Sequence, residues 1–213
     1  MNDINSSYYR QNRHEMLSYV PENAKIILDV GCGNGEFGKK LMEMRGAVVW
    51  GVEPYASACN QAKLALARVF NTYFSSSTLT IKDSKFDAII FNDVLEHMVD
   101  PQEALEFAKT LLNENGVIVS SIPNIRHYKV LKKLLFNKSF EYKDSGILDK
   151  THLRFFTSSS ILAMYTNAGL NVLRHEGINE SCSTGARCLA RIFPGLLGDT
   201  IWLQYATVAQ KAI

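Results

Sequence analysis

The sequence lacks the features that would place a protein in a membrane, outside the cell or on nucleic acid. Its four cysteines include no CxxC pair, which favours reduced thiols in a cytoplasmic setting over a disulfide or metal framework. The N-terminal residues MNDINSSYYRQNRHE have no apolar core of a signal peptide, so we expect no export. The formal net charge is only +2, and neither a strong basic patch nor an aromatic stacking platform indicates nucleic acid.

A long uninterrupted hydrophobic run is also missing. The most apolar late stretch, residues 192–209, is broken by Pro194, Gly195, Gly198 and Asp199. It therefore predicts a turn followed by a buried strand rather than a transmembrane segment. With 213 residues, of which 46% are hydrophobic and 21% charged, the chain fits one globular domain.

The most informative feature that is present is the stretch 25–35, KIILDVGCGNG. An apolar run leads into Gly31, Gly33 and Gly35, and a helical pattern follows, so we predict a buried strand, a tight turn and a helix. Glycines allow backbone angles closed to other residues and let a ligand lie against the main chain. The helix start adds unpaired N–H groups, which indicates a nucleotide-like ligand.

Strand and helix patterns alternate along the rest of the chain, which predicts an α/β fold with a mostly parallel sheet and helices on both faces. Helices are predicted for 4–19, the stretch after the glycine turn, 57–69, 101–113 and 158–168. Further strands are predicted for 47–52, weakly 72–74, 86–92, 117–122, 170–174 and 202–209. The ligand is expected at the carboxyl ends of the parallel strands.

Three points fall on that carboxyl edge: the glycine turn, Glu53 about 20 residues later, and the segment NDVLEH at 92–97. An acid at the position of Glu53 can accept hydrogen bonds from ribose hydroxyls. A dinucleotide site prefers GxGxxG, whose third glycine is Glu36 here, and a carboxylate beside a pyrophosphate is unfavourable. A cationic ligand without phosphate, such as S-adenosylmethionine, suits this turn better.

Four segments, ILDVGCGNG, GVEP, FDAIIFNDVLEHMVDP and NENGVIVSSIPN, resemble in order the motifs of class I S-adenosylmethionine-dependent methyltransferases. The resemblance implies a Rossmann-like, seven-stranded, mostly parallel sheet with an antiparallel last strand at 202–209. It implies S-adenosylmethionine as the cofactor, S-adenosylhomocysteine as the product, and a set of residues around them. These are Asp29, Gly31, Cys32, Gly33, Gly35, Glu53, Pro54, Asn92, Asp93 and Val94.

One departure from the family concerns the adenine. Members often carry an acid after strand three that holds the adenine amine, whereas the equivalent region here is expected at 75–78, SSST. Either a serine hydroxyl takes that role or the adenine is held by packing.

Two shorter resemblances bear on the acceptor. DVLEHMVDP resembles the small-molecule branch that includes ubiquinone-biosynthesis O-methyltransferases, and SIPNIRHY with GILDKTHLRFFT resembles methyltransferases of bacterial sugar and polysaccharide biosynthesis. We therefore expect O-methylation of a small molecule, first a sugar or sugar nucleotide, alternatively a quinone or phenol. A non-catalytic S-adenosylmethionine-binding module and an NAD-dependent oxidoreductase stay as alternatives from other classes.

Side chains near the predicted edge supply the candidates for chemistry. A hydroxyl acceptor would benefit from a general base, and histidine has a suitable pKa. The candidates are His97, His127 and His152 for the base, with a structural hydrogen bond as the alternative, and Arg126, Tyr128 and Arg154 for substrate contact, with solvated side chains as the alternative. Asp93, Glu96 and His97 would share one face of a helical turn and form a weak candidate metal site, although we predict no metal.

The expected organisation is one methyltransferase domain over 1–213. It comprises an N-terminal helix or lid (1–24), a cofactor-binding core (25–123), a substrate-side insertion (124–156) and C-terminal helix and strands (157–213). We expect a small-molecule acceptor as the only partner of a monomer or homodimer, without nucleic acid or a transmembrane segment. The stretches YKVLKKLLF and RCLARIFPGLL mix basic and apolar residues, and we favour amphipathic helices over the core rather than membrane contact.

Overall fold

The computed structural model describes residues 13–81 and 85–212, which build one seven-stranded sheet with helices packed on it. The strands are β1 (Ile26–Val30), β2 (Val48–Val52), β3 (Arg68–Phe70), β4 (Phe86–Asn92), β5 (Leu112–Pro123), β6 (Leu170–Glu180) and β7 (Trp202–Lys211). The helices are α1 (Glu36–Arg45), α2 (Ala56–Ala65), α3 (Pro101–Leu111), α4 (Tyr128–Asn137), α5 (Ser158–Asn167), α6 (Thr184–Ile192) and α7 (Pro194–Leu197). Short 3-10 helices cover His14–Tyr19, Leu95–His97 and Gly198–Ile201.

The sheet has the strand order β3-β2-β1-β4-β5-β7-β6. The strands from β3 to β5 pair in parallel, and β7 runs antiparallel to both of its neighbours. This arrangement confirms the predicted α/β class, the seven strands and the antiparallel last strand. The continuous apolar centre of β4 follows from its central place, because Ile89 and Phe91 enter one core cluster and Ala88 and Ile90 enter the other.

Helices cover both faces of the sheet. Residues of α3 and α5, such as Leu105 and Ile161, pack in one cluster, while Leu41 of α1, Ala62 of α2 and Met16 pack in the other. The strand order reverses between β1 and β4, which are adjacent and parallel. In open α/β sheets the crevice at such a reversal receives the ligand, and here the ends of β1 and β4 carry the glycine turn and the NDVLEH segment.

Helix boundaries follow local capping signals. The Asp100 carboxylate accepts the Glu103 N–H at 2.9 Å, and Pro101 occupies the first position of α3. Thr157 and Ser160 form a reciprocal capping box at the start of α5. Gly46 ends α1 in a left-handed conformation, with φ of 60°. These interactions involve residues no more than four apart, which is why the sequence reveals them.

The position of strand three is a correction. We predicted a helix over 57–69 and a strand over 72–74, but α2 ends at Ala65 and β3 is Arg68–Phe70. Long-range pairing decides this, because Arg68 and Phe70 lie beside Trp50 and Val52 of β2, and the Arg68 guanidinium stacks 4.8 Å from the Trp50 ring centroid. Residues 1–12 of the predicted N-terminal helix or lid lie outside the described part, and the described remainder is the 3-10 helix His14–Tyr19.

None of the described helices is both long and apolar enough to span a membrane.

Candidate active site

The glycine turn between β1 and α1 has the geometry of a ligand cradle. Gly31, Gly33 and Gly35 all have positive φ, at 69°, 55° and 85°. A Cβ on Gly31 would lie only 2.6 Å from a Val94 methyl carbon, so the turn and the segment after β4 touch there. The N–H groups of Gly31 and Cys32 both donate to the Val52 carbonyl, which fixes the turn to the end of β2. The backbone therefore requires glycine at position 31 for both conformation and space.

Glu53 connects the turn to the end of β2. Its side chain is only 3% exposed, and its two carboxylate oxygens accept the N–H groups of Gly33 at 2.9 Å and Tyr55 at 3.0 Å. Burial raises the pKa of Glu53, while these two hydrogen bonds favour its ionised form and oppose the shift. These two hydrogen bonds hold the carboxylate beside the glycine turn.

Asp29, the residue before Val30 at the end of β1, is a buried acid with an unsatisfied carboxylate oxygen. It is 3% exposed, and its Oδ2 finds no hydrogen-bond partner among the described residues. Burial, and secondarily the nearby Glu53, raise the pKa of Asp29 to about 7. The pKa of Asp29 in the folded protein exceeds its ordinary value of 3.8. The contribution of Asp29 to the free energy of unfolding is therefore present below pH 3.8 and is lost as the pH rises toward 7, because the folded state disfavours the ionised carboxylate. A cationic ligand group beside Asp29 would favour the carboxylate.

The segment after β4 turns away from a helical path. Asp93 has a φ of 52°, and the 3-10 helix begins only at Leu95. The Asp93 carboxylate is bound by Arg13 and Gln204, and accepts the Ser121 hydroxyl at 3.1 Å. Both polar atoms of the Asn92 amide are buried without a described partner, so a donor and an acceptor remain for a ligand.

The candidate metal set is corrected by this geometry. Asp93 does not share a helical face with Glu96 and His97, because the left-handed turn at Asp93 directs it toward Arg13 and β7. Instead His152 joins the other two, and the ligand atoms of the three lie within 4.8 Å of one another.

The two histidines of this set form a pair against a buried acid. Their ring centroids lie 4.6 Å apart in an edge-to-face arrangement. Nδ1 of His97 lies 3.1 Å from the Thr151 carbonyl and Nδ1 of His152 lies 3.0 Å from the Ile147 carbonyl. A carbonyl only accepts, so each Nδ1 carries the proton and Nε2 is the basic nitrogen of the neutral ring. Burial lowers the pKa of both rings, and for His97 the neighbouring His152 adds to this effect.

Glu96 lies beside His152 of this pair. It is 1% exposed, its Oε1 lies 4.0 Å from His152 Nε2, and burial raises its pKa to about 8. Its backbone carbonyl accepts the N–H groups of Leu153 and Arg154, at 2.8 and 3.1 Å. These bonds join the segment after β4 to the segment before α5, which lie more than fifty residues apart in sequence.

A second region, at the start of α4, holds Arg126, His127 and Tyr128, whereas Arg154 lies beside the segment that follows β4. His127 is 3% exposed, and burial, then Lys129, lower its pKa to about 4. Arg126 donates to both carboxylate oxygens of Asp199 and to the Leu196 carbonyl, while the Tyr128 ring packs 4.7 Å from the His127 ring. Arg154 donates to the Val99 carbonyl at 2.8 Å. The substrate roles of Arg126, Tyr128 and Arg154 stay predictions.

Two residues of this site, Gln204 and Asn71, are absent from the sequence-based predictions. Gln204 reaches Asp93 from β7, more than a hundred residues away, and no local pattern marks it. Asn71 follows β3 and donates to the carbonyls of Glu53 and Pro54 at 2.9 Å each. Because β3 ends at Phe70, Asn71 rather than the stretch 75–78 directly follows the third strand, and a correct strand prediction would have revealed it.

Comparisons with known proteins agree with this geometry. A family model described as a methyltransferase domain matches residues 1–175. A ubiquinone biosynthesis O-methyltransferase from Pasteurella multocida is 33% identical over 189 residues, covering 79% of this chain and 77% of that protein. The one from Colwellia psychrerythraea is 30% identical over 166 residues, covering 75% of this chain, and this chain spans 66% of that relative's length.

Solved structures share the fold. A methyltransferase from Archaeoglobus fulgidus described as dependent on S-adenosylmethionine has a TM-score of 0.72 at 17% identity, with 97% of this chain and 95% of that one covered. The plantazolicin methyltransferase BpumL, solved with a desmethyl plantazolicin analogue and S-adenosylhomocysteine, has a TM-score of 0.68 at 18% identity, with 99% and 90% covered.

Proposed function

This chain belongs to the class I S-adenosylmethionine-dependent methyltransferases, and from that premise we propose that it methylates a hydroxyl oxygen of a small phenolic or quinone-type acceptor. The relatives named for ubiquinone O-methylation are the observation that carries the acceptor class. A sugar or sugar-nucleotide acceptor, our first expectation from the sequence, has no support in these comparisons. Membership of this family also argues against the alternative of an NAD-dependent oxidoreductase.

The site fits the cofactor that the family implies. Gly31 and Gly33 hold the turn in left-handed backbone conformations, Glu53 presents a carboxylate for ribose hydroxyls, and Asp29 is a buried acid that gains from a cation. Asn92, at the end of β4, adds an amide donor and an amide acceptor that have no partner among the described residues. When bound, S-adenosylmethionine supplies an electrophilic methyl group on a cationic sulfur. The protein's tasks are then to orient the acceptor oxygen, exclude water and take the hydroxyl proton.

Within this proposal His97 is the general base. It is partly exposed, whereas His152 and Glu96 lie buried behind it, so an acceptor can reach His97 first. Its Nδ1–H bond to the Thr151 carbonyl directs the basic Nε2 away from that backbone. The acceptor oxygen would give its proton to Nε2 while it forms the bond to the methyl carbon. His127, whose pKa is near 4, is a much weaker base.

The acceptor class is tested with a panel. The purified protein, S-adenosylmethionine with a labelled methyl group, and matched phenols, quinols, sugars and sugar nucleotides would be incubated, and product would be identified by mass spectrometry. We expect label on the oxygen of a phenol or quinol. Transfer to sugars alone would overturn the acceptor class, and cofactor binding without transfer to any acceptor would indicate a non-catalytic module.

The base is tested by comparing three variants. His97→Gln is expected to lower kcat about 100-fold or more while leaving the S-adenosylmethionine Kd unchanged, because only proton removal is lost. His152→Gln should have a smaller effect and His127→Gln almost none. In the wild type, kcat/KM should decrease as the pH is lowered below 6.5, the ordinary histidine pKa, because His97 becomes protonated. The kcat/KM of His97→Gln should not show this decrease. A full loss in His127→Gln instead would contradict the assignment.

A further inference from the structure

The helix α4 does not pack on the core as we expected from the sequence. Only Val130 of its ten residues is buried. Leu134, Leu135 and Phe136 are 41%, 72% and 79% exposed, although such residues normally turn inward in an amphipathic surface helix. The expectation of an ordinary helix over the core is therefore wrong for YKVLKKLLF. Its C-terminal apolar side chains, Leu134, Leu135 and Phe136, face outward.

The exposure continues past the end of the helix. Phe140 and Tyr142 are 38% and 57% exposed and contact each other edge-to-face at 5.7 Å. We call residues 128–143 the basic apolar segment, because these apolar side chains are interleaved with lysines. The lysines of the segment are Lys129, Lys132, Lys133, Lys138 and Lys143, against the single acid Glu141.

These lysines are available for an external anion. None of the five forms an ion pair with another residue in 13–81 or 85–212, whereas the nearby Lys150 is paired with Asp144. A second copy of the chain does not suit this segment as a binding partner. A twofold contact would bring two lysine-rich segments together, and their like charges would repel. A surface that offers anionic groups above an apolar layer matches both properties of the segment.

We infer that the basic apolar segment docks this protein on the surface of an anionic lipid bilayer. Leu135, Phe136 and their neighbours would enter the boundary between headgroups and acyl chains, while the lysine ammonium groups meet lipid phosphates. The helix lies in the interface and does not cross the bilayer, in agreement with its length of ten residues.

The docked surface would lie close to the predicted acceptor side of the site. The Phe155 ring contacts Phe140 at 5.6 Å and His152 at 6.3 Å between centroids, so one aromatic cluster joins the segment to the histidine pair. An acceptor that partitions into the bilayer would thus reach the protein beside His152. The docking itself does not depend on the proposed acceptor.

Vesicle sedimentation with the full chain tests this inference. The wild-type protein should sediment with vesicles of phosphatidylcholine and phosphatidylglycerol, and at least tenfold less with phosphatidylcholine alone. Salt at 1 M, where the Debye length is about 3 Å, should also weaken binding. Leu135→Ser with Phe136→Ser should lower the partition coefficient tenfold or more, and Lys132→Gln with Lys133→Gln should remove much of the preference for anionic lipid.

The control is a double variant with equally exposed apolar residues elsewhere. Met44 of α1 and Leu64 of α2 are 58% and 91% exposed, and Met44→Ser with Leu64→Ser should sediment like the wild type. Circular dichroism would verify that each variant is folded. The inference is overturned if the wild type remains in the supernatant, if the control loses binding equally, or if light scattering shows a dimer that Leu135→Ser with Phe136→Ser abolishes.

Discussion

Replacing Glu53 by alanine is expected to lower the affinity for S-adenosylmethionine and S-adenosylhomocysteine about 100-fold, equivalent to about 2.7 kcal/mol. The variant removes the carboxylate that the resemblance assigns to the ribose hydroxyls, and charge-assisted hydrogen bonds of this kind contribute about 1.5–3 kcal/mol each. It also leaves the N–H groups of Gly33 and Tyr55 without their acceptor. Isothermal titration calorimetry with both ligands measures the loss.

Two further variants separate the ligand contact from the fold. Glu53→Gln keeps the volume and one acceptor oxygen, so it should stay folded and bind with intermediate affinity. Glu43 is an exposed acid further along α1, and Glu43→Ala should bind within about threefold of the wild type. Wild-type affinity in folded Glu53→Ala would refute the assigned role.

Replacing Gly31 by alanine is expected to abolish measurable cofactor binding and transfer. The new Cβ would lie 2.6 Å from a Val94 methyl carbon, and the backbone at φ 69° would itself be strained by about 1–2 kcal/mol. Either the turn or the segment after β4 must move, and both supply predicted cofactor contacts. Binding by calorimetry and methyl transfer with a labelled cofactor are the measurements.

Gly46 provides a matched control for strain alone. Its φ is 60°, close to that of Gly31, but a Cβ there would meet no atom of the described residues within 4 Å. Gly46→Ala should therefore lose a similar 1–2 kcal/mol of stability and keep cofactor affinity. Adding Val94→Ala to Gly31→Ala removes the closest carbon and should restore part of the binding. If both glycine variants lose affinity equally, the steric explanation is wrong.

Long-range pairing and one left-handed residue override the local sequence pattern at two places, β3 and Asp93. The strand over 72–74 was wrong because β3 is defined by its pairing with β2, and only that pairing selects Arg68–Phe70 from a stretch of similar apolar character. The candidate metal face was wrong because one left-handed residue, Asp93, breaks the helical spacing that the sequence suggested. Helical spacing predicts shared faces only where the chain is helical.

The sequence by itself determined the elements whose causes are local. The glycine turn after β1, the acid at position 53, the caps of α3 and α5 and the order of strands and helices follow from residues within one or two turns of one another. The alternation of apolar strand and helix patterns then sufficed to predict the class of sheet. The resemblance of the four ordered motifs indicated the family. For this reason the sequence sufficed to predict the fold and the cofactor of the family.

Only the tertiary structure decided which distant side chains meet. It brought His152 to Glu96 and His97, joined Gln204 and Arg13 to Asp93, and left the apolar residues at the C-terminal end of α4 exposed. Such contacts depend on how crossovers return the chain to the carboxyl edge of the sheet, and no short-range propensity encodes that path. The proposed acceptor side and the proposed membrane surface are therefore properties of the folded chain.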